Sequence, residues 1–295
     1  MTVCVRRLIL ACVCVLMVVA PLYAGEQQRF ERQRKHPFPC AYPGSLFTAA
    51  IKAAASIEPL PYTISGLILP HHLLAADLIA RAFACASKGE YRRIIILSPD
   101  HFNRGRTPFS VPGRDFLTSL GTALLDREGT AALLRNDMVS GSNLFSHEHG
   151  VQALLPFIVH HFPDAFVLPV AIGRDSSPYE WRSLSRSLEP LLDAETLLIQ
   201  STDFSHYLDR KETARRDAES IAVLLAHAPE GILSLRQPQN IDSKGAFFIQ
   251  MTLQKSFGAA PVLLAHSSSF DYNAAEAEKT GGTSYITAAY TRPEN

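Results

Sequence analysis

Short, predominantly apolar runs at residues 64–69, 94–97, 166–172, 197–199 and 262–265 are the feature that most limits what this chain can fold into. A strand with one wet face alternates apolar and polar residues, whereas a run that is apolar throughout suits a strand covered on both faces. Between the runs lie helix-length segments at 73–87, 151–161, 181–192, 213–227 and 246–257, with apolar residues at helical spacing. Strands alternating with such helices build a parallel or mixed sheet sandwiched between helical layers. The expectation is one α/β domain over residues 42–295, with a mixed, mostly parallel sheet and helices on both faces. An early helix at 46–56, capped by Ser45, and a late strand at 282–290 complete it.

Composition supports a sizeable core, since 47% of the 295 residues are hydrophobic and 19% are charged. Lys plus Arg and Asp plus Glu both total 28, so there is no basic excess to hold a phosphate backbone, and nucleic acid is not an expected partner. Arg6 and Arg7, the apolar stretch 8–20 and the small-residue end at Ala24-Gly25 have the layout of an export signal over residues 1–24. The apolar stretch falls short of the ~20 residues of a spanning helix. The sequence therefore reads as an exported protein, periplasmic or extracellular, with no stable membrane span after cleavage. Residues 25–41 are polar and proline-containing, as in an arm or linker. Cys4, Cys12 and Cys14 would leave with the signal; Cys40 and Cys85 remain, either paired or as buried single thiols.

Three apolar runs end directly in polar clusters: Pro70-His71-His72, Ser98-Pro99-Asp100-His101 and Ser201-Thr202-Asp203-Phe204-Ser205-His206. In open α/β sheets the loops beyond the carboxyl ends of the strands converge on one crevice, so the clusters should meet there. Imidazoles with a carboxylate suit iron, zinc, copper or nickel, and two His with one carboxylate is the set used for non-heme Fe(II). Asp242, in a polar turn before an apolar helix, is a candidate carboxylate ligand, with a helix N-cap as its alternative role. Asp203 can orient an imidazole, and His206 can serve as general base or as a further ligand. Tyr207 offers a phenol to a substrate. His147 and His149 flank Glu148 at i, i+2, which puts them on different faces of a helix, and His149 is the one expected in the pocket. Neither a phosphate-binding Gly loop nor a Gly-x-Ser-x-Gly elbow occurs. Ser267, Ser268 and Ser269 follow His266 at the end of a run, as a polar strand end or a crevice edge.

In order along the chain, these fragments resemble the Memo family, called AmmeMemoRadiSam system protein B in bacteria. Tyr42-Pro43-Gly44 is similar to its Tyr-Pro turn, and Pro70-His71 to its Pro-His-Ala-Gly segment. Ser98-Pro99-Asp100-His101 is similar to Gly-Pro-Ser-His, and Thr118-Ser119-Leu120-Gly121 to Thr-Pro-Leu-Gly. Glu148-His149-Gly150-Val151-Gln152 is similar to Glu-His-Ser-Ile-Glu, and the Asp203 to Tyr207 stretch to Asp-Phe-Ser-His-Tyr. The resemblance implies a fold like that of class III extradiol dioxygenases, whose iron is held by two His and a carboxylate. It assigns His71 and His101 as metal-type histidines, with Asp203 and His206 lining the same pocket. Where the family typically has a Cys before Gly, this chain has Ile241-Asp242-Ser243-Lys244-Gly245, so Asp242 stands in the thiolate position. His72-Leu73, in place of the family's Ala-Gly, and Leu154, standing where the family often has another His, are further departures.

The combined expectation is a non-heme metal site of His71, His101 and Asp242, with His206 and Asp203 as catalytic groups and His149 and Tyr207 in the pocket. Fe(II) is the expected ion, with Cu or Zn as alternatives. Loss of the thiolate weighs against Cu(I), which prefers sulfur. Dioxygenase-like oxidoreductase chemistry on a small molecule is the first functional reading. A non-catalytic protein holding a metal or a peptide in the same crevice is the second, and metal-dependent hydrolysis the third.

Overall fold

The computed structural model describes residues 36–292, so the export signal assigned to residues 1–24 lies outside the described residues. From Phe38 onward the chain forms one α/β unit. Its strands are β1 (Phe38–Pro39), β2 (Thr63–Leu69), β3 (Arg93–Pro99), β4 (Phe109–Val111), β5 (Phe116–Thr118), β6 (Gly121–Ala123), β7 (Val139–Gly141), β8 (Phe166–Ile172), β9 (Thr196–Ser201), β10 (His206–Leu208), β11 (Ala260–Ser268) and β12 (Gly282–Arg292). The helices are α1 (Gly44–Ala54), α2 (Ala76–Cys85), α3 (Arg127–Leu133), α4 (His149–Gln152), α5 (Leu155–His161), α6 (Pro178–Leu188), α7 (Arg210–Ala226), α8 (Lys244–Ser256), α9 (Ser269–Tyr272) and α10 (Ala274–Thr280).

The main sheet runs β10-β12-β2-β9-β3-β8-β4-β7, with β11 also paired to β12. Its centre, β2-β9-β3-β8, is parallel, while β12, β11 and β4 join antiparallel, so the sheet is mixed as its sequence pattern requires. Successive residues of a strand point to opposite faces. In β3, Ile94 and Ile96 pack with Phe47 of α1, Phe83 of α2 and Phe157 of α5. Ile95 and Leu97 face the other way, into Trp181 and Leu184 of α6 and Phe247 and Phe248 of α8. Each such fully buried side chain contributes about 1.5–3 kcal/mol of transfer free energy, which explains why the central runs are apolar on both faces. Gly66 of β2 is required by close packing: a Cβ there would sit 2.2 Å from Gln254 Nε2 and 2.5 Å from Gln250 Nε2, the amides that α8 lays across the sheet.

Several local expectations change in the structure. The run 262–265 belongs to β11, which pairs with β12 alone and leaves Val262 42% and Leu263 36% exposed, because an outer antiparallel strand keeps a solvated face. The N-cap of α1 is Pro43, and Ser45 lies inside the helix. The segment 151–161 divides into α4 and α5 because Pro156 lacks the N–H that would bond the Gln152 carbonyl. That carbonyl meets the Cys40 thiol, 3.9 Å away, and burial pushes the thiol up to about 12. Cys40 and Cys85 are unpaired. Phe38 and Pro39, read as arm residues, pair with β5 and so belong to the α/β unit. Among the described residues no helix is long and apolar enough to cross a membrane.

Candidate metal centre

Because β2, β3 and β9 are parallel neighbours, their carboxyl ends lie at one edge of the sheet, and His71, His101 and Asp203 follow those ends directly. The His71 and His101 rings are 4.7 Å apart. Asp242 arrives from a distant loop through a bridge between Phe204 and Ile241, sealed by Asp242 N–H donating to Asp203 O at 3.1 Å. The capping role is filled by its neighbour: Ser243 accepts from Ala246 N–H at the start of α8. The Asp242 carboxylate is thereby free to face the histidines.

Hydrogen bonding sets the orientation of each imidazole. The Ser201 hydroxyl donates its only proton to Gly150 O, so toward His71 Nδ1, 3.2 Å away, it acts as acceptor. A neutral His71 then carries its proton on Nδ1 and turns its Nε2 lone pair toward Asp203 Oδ2 at 3.5 Å and Asp242 Oδ2 at 3.3 Å. The Asp203 Oδ1 atom accepts from the His71 and His72 backbone N–H groups at 3.1 and 3.4 Å, which pins the first loop to the third. Asp242 Oδ2 accepts from Asp203 N–H at 3.0 Å, whereas Oδ1 is buried and accepts no hydrogen bond.

Glu148, fully buried, performs the same task for His101. Its carboxylate accepts from His101 Nδ1 at 2.6 Å and His101 N–H at 3.0 Å, and caps α4 through Gly150 N–H at 3.0 Å. His101 Nε2 is left facing Asp242 Oδ2 at 3.8 Å. Gly150 has to be glycine for this packing: a Cβ would stand 2.3 Å from Ser98 Oγ and 3.3 Å from His101 Cε1. The sequence reading names Glu148 and Ser201 within their clusters but gives neither a role. An acid immediately before a short helix is an N-cap signal that points to Glu148; Ser201 is marked only by its place at the start of a polar cluster after an apolar run.

The electrostatics follow from burial and proximity. Burial depresses the His101 pKa, but attraction to Asp242 and then the bond to Glu148 outweigh it and push His101 up to about 10. Burial likewise opposes ionisation of Asp242 and Glu148, yet their histidine partners hold both below the usual carboxylate range. His149 moves the opposite way, pushed down to about 4 by burial and by the neighbouring His101 and His71. Its ring centroid is 3.9 Å from that of His101 and 5.2 Å from that of His71. His147 is exposed.

Two overlapping groups could hold an ion: His71, His101 and His149, or His71, Asp203 and Asp242, with ligand atoms in each group within 4.8 Å of one another. The groups share His71, and neither of them joins His101 with Asp242, which are linked by the 3.8 Å approach of Nε2 to Oδ2. The fit to a nitrogen- and oxygen-liking ion rests on the donor set and on the unbonded Asp242 Oδ1.

Neither group includes the remaining sequence candidates. His206 is partly buried, with Nδ1 lacking a hydrogen-bond partner. Tyr207 is 75% exposed and has φ +60°, with its ring 5.7 Å from that of His206; neither ligand group includes it. Ser267 and Ser268 bond Asp271. At the amino ends of the strands, two clefts of about 550 and 590 Å³, around Cys85 and Tyr91 and around Arg93 and Asp126, share no residue with the histidine cluster.

The chain has relatives among known proteins. The Memo-like protein family matches residues 46–287. A MEMO1 family protein of Thermotoga sp. (strain RQ2) is 28% identical over 229 residues, covering 75% of this chain and 82% of that protein. One from Thermoplasma acidophilum is 28% identical over 233 residues, 76% and 85% of the two chains. One from Saccharolobus islandicus is 24% identical over 215 residues, 69% and 76%. A match that spans all three polar clusters, the Glu148 cap and Asp242 means that the chain belongs to the Memo-like family.

Proposed function

We propose that the protein is a non-heme metal-dependent oxidoreductase acting on a small molecule, in which His71, His101 and Asp242 hold Fe(II), with Cu or Zn as the other ions this donor set accepts. The observation that carries the reading is the Asp242 carboxylate. One oxygen lies 3.3 and 3.8 Å from the two imidazole Nε2 atoms, and the other is buried without a hydrogen bond. A bound ion would supply Lewis-acid or redox chemistry to a substrate oxygen. Glu148 and Ser201 keep the Nδ1 protons of the two imidazoles on the outer side, so both Nε2 atoms face inward. Asp203 holds the first loop against the third. His206, whose Nδ1 has no competing partner, is the group that would accept or return a substrate proton.

The test is elemental analysis of protein purified without chelators, for the wild type, His71→Ala and Asp242→Ala. Wild type should carry a single ion per chain, and both variants should lose it while retaining a cooperative melt. Unchanged metal in both variants would remove the site. The second reading, a non-catalytic metal holder, draws support from His149 and Asp203, each of which belongs with His71 to a group whose ligand atoms could hold an ion. Oxygen uptake on a panel of catechols separates the two: consumption that follows metal content supports the enzyme, and a loaded protein that consumes none supports the holder.

A further inference from the structure

Residues 203–206 carry both Asp203 and His206, and they are tied to β12 by Phe204 N–H donating to Ser284 O at 2.9 Å and Ser284 N–H donating to Ser205 O at 3.0 Å. The hydroxyls of the same two serines converge on one acceptor: Asp217 Oδ1 takes Ser205 Oγ at 2.5 Å and Ser284 Oγ at 2.6 Å. The other Asp217 oxygen accepts from His266 Nε2 on β11 at 2.7 Å. Asp217 is 1% exposed and sits inside α7, a helix already capped by Asp209. An aspartate in a helix interior lowers helix propensity, and a buried carboxylate is costly unless it is paired and fully bonded. Its position therefore calls for a role outside α7.

We propose that Asp217, paired with His266, is a positioning residue for the turn 203–206, fixing through the Ser205 and Ser284 hydroxyls where Asp203 and His206 stand in the crevice. One carboxylate oxygen that accepts from both serines sets the spacing between the turn and β12 from the side-chain direction, while the backbone bonds set it from the other. The bond to Asp217 also raises the His266 pKa, so the imidazole keeps its proton to higher pH than usual. Without Asp217, Ser205 Oγ would be left with the Thr213 carbonyl, 3.5 Å away, and the turn would lose the side-chain bond it shares with Ser284. The consequence for metal binding rests on the metal reading proposed above; the consequence for the turn does not.

The experiment uses the full chain and two measurements on wild type, Asp217→Ala, Ser205→Ala and His266→Gln. Amide hydrogen exchange reads the turn without any metal, and Co(II) titration, followed by visible absorption, reads the site. In Asp217→Ala and Ser205→Ala, exchange at Asp203, Phe204 and Ser284 should accelerate while β3 amides keep their protection. The Co(II) affinity should fall about tenfold, the lower end for groups that orient metal ligands. His266→Gln, which retains an N–H donor for Asp217, should stay near wild type. Unchanged exchange at the turn in both Asp217→Ala and Ser205→Ala overturns the proposal whatever the metal result, as does faster exchange accompanied by an unaltered Co(II) affinity and spectrum. Faster exchange in a protein whose wild type takes up no Co(II) supports the positioning of the turn and removes the metal reading instead.

Discussion

Replacing Glu148 by Gln keeps the size of the side chain and removes the one charge that organises the second loop of the site. In the wild type, Oε1 accepts from His101 Nδ1 and Gly150 N–H, and Oε2 accepts from His101 N–H. An amide retains one acceptor oxygen, so its NH₂ must face at least one buried N–H. An unsatisfied buried donor costs about 1–3 kcal/mol, and breaking a buried charged pair about 3–5 kcal/mol. His101 can shed its proton and so recover part of the second cost, which leaves an expected loss of about 3 kcal/mol. For a domain of this size that corresponds to a fall in Tm of about 6–12 °C. The His101 ring also loses its tether, and metal affinity should fall about 10–100-fold, as for other groups that orient metal-binding histidines. Thermal melts by circular dichroism, with and without Co(II), and a Co(II) titration measure both effects. A variant that melts within about 2 °C of wild type and binds Co(II) equally well would refute the assignment of Glu148 as the group that orients His101.

Three further outcomes follow from the same geometry. Asp242→Cys should shift metal preference toward Cu(I) and Zn(II), because a thiolate replaces a hard oxygen at that position; competition between Fe(II) and Zn(II) at fixed total metal checks it, and an unaltered preference would count against Asp242 as ligand. Metal uptake should release a proton: His101, raised to about 10, is protonated at pH 7 without metal and must free Nε2 to bind, so affinity rises about tenfold per pH unit below that value. Calorimetry in buffers of differing ionisation enthalpy at pH 7 reads this directly, and zero proton release would contradict it. Gly150→Ser alone should destabilise by about 1–3 kcal/mol, since its Cβ would overlap Ser98 Oγ, whereas Ser98→Gly/Gly150→Ser, the arrangement of the family motifs, should recover most of the loss. Additive effects in that double-mutant cycle would show that the two positions do not share the space.

The sequence by itself determined the central sheet, because runs such as 94–97 can satisfy their apolar side chains only when both faces are covered. It also placed His71, His101 and Asp203 at one edge, since each follows the end of such a run and parallel strands align their carboxyl ends. Period and composition are local properties, and they sufficed for these features. The edge strand β11 was misread as buried because its apolar content resembles that of a central strand, and only the sheet order shows that it has a single neighbour. The division of 151–161 into two helices was signalled by Pro156, but the Cys40 thiol that meets the orphaned carbonyl comes from 112 residues away.

Only the tertiary structure decided where the Asp242 carboxylate faces. Spacing alone favours a helix cap, and the outcome turned on Ser243 taking the cap while a bridge from Phe204 to Ile241 carried the carboxylate to the histidines. Glu148, Ser201 and Asp217 act through bonds spanning 47, 51 and up to 67 residues, which no local pattern records. The physical reason is the same for all of them: a periodic pattern reports which side of an element is covered, whereas a hydrogen-bond partner, a tautomer or a ligand position depends on where separate elements come to rest against each other.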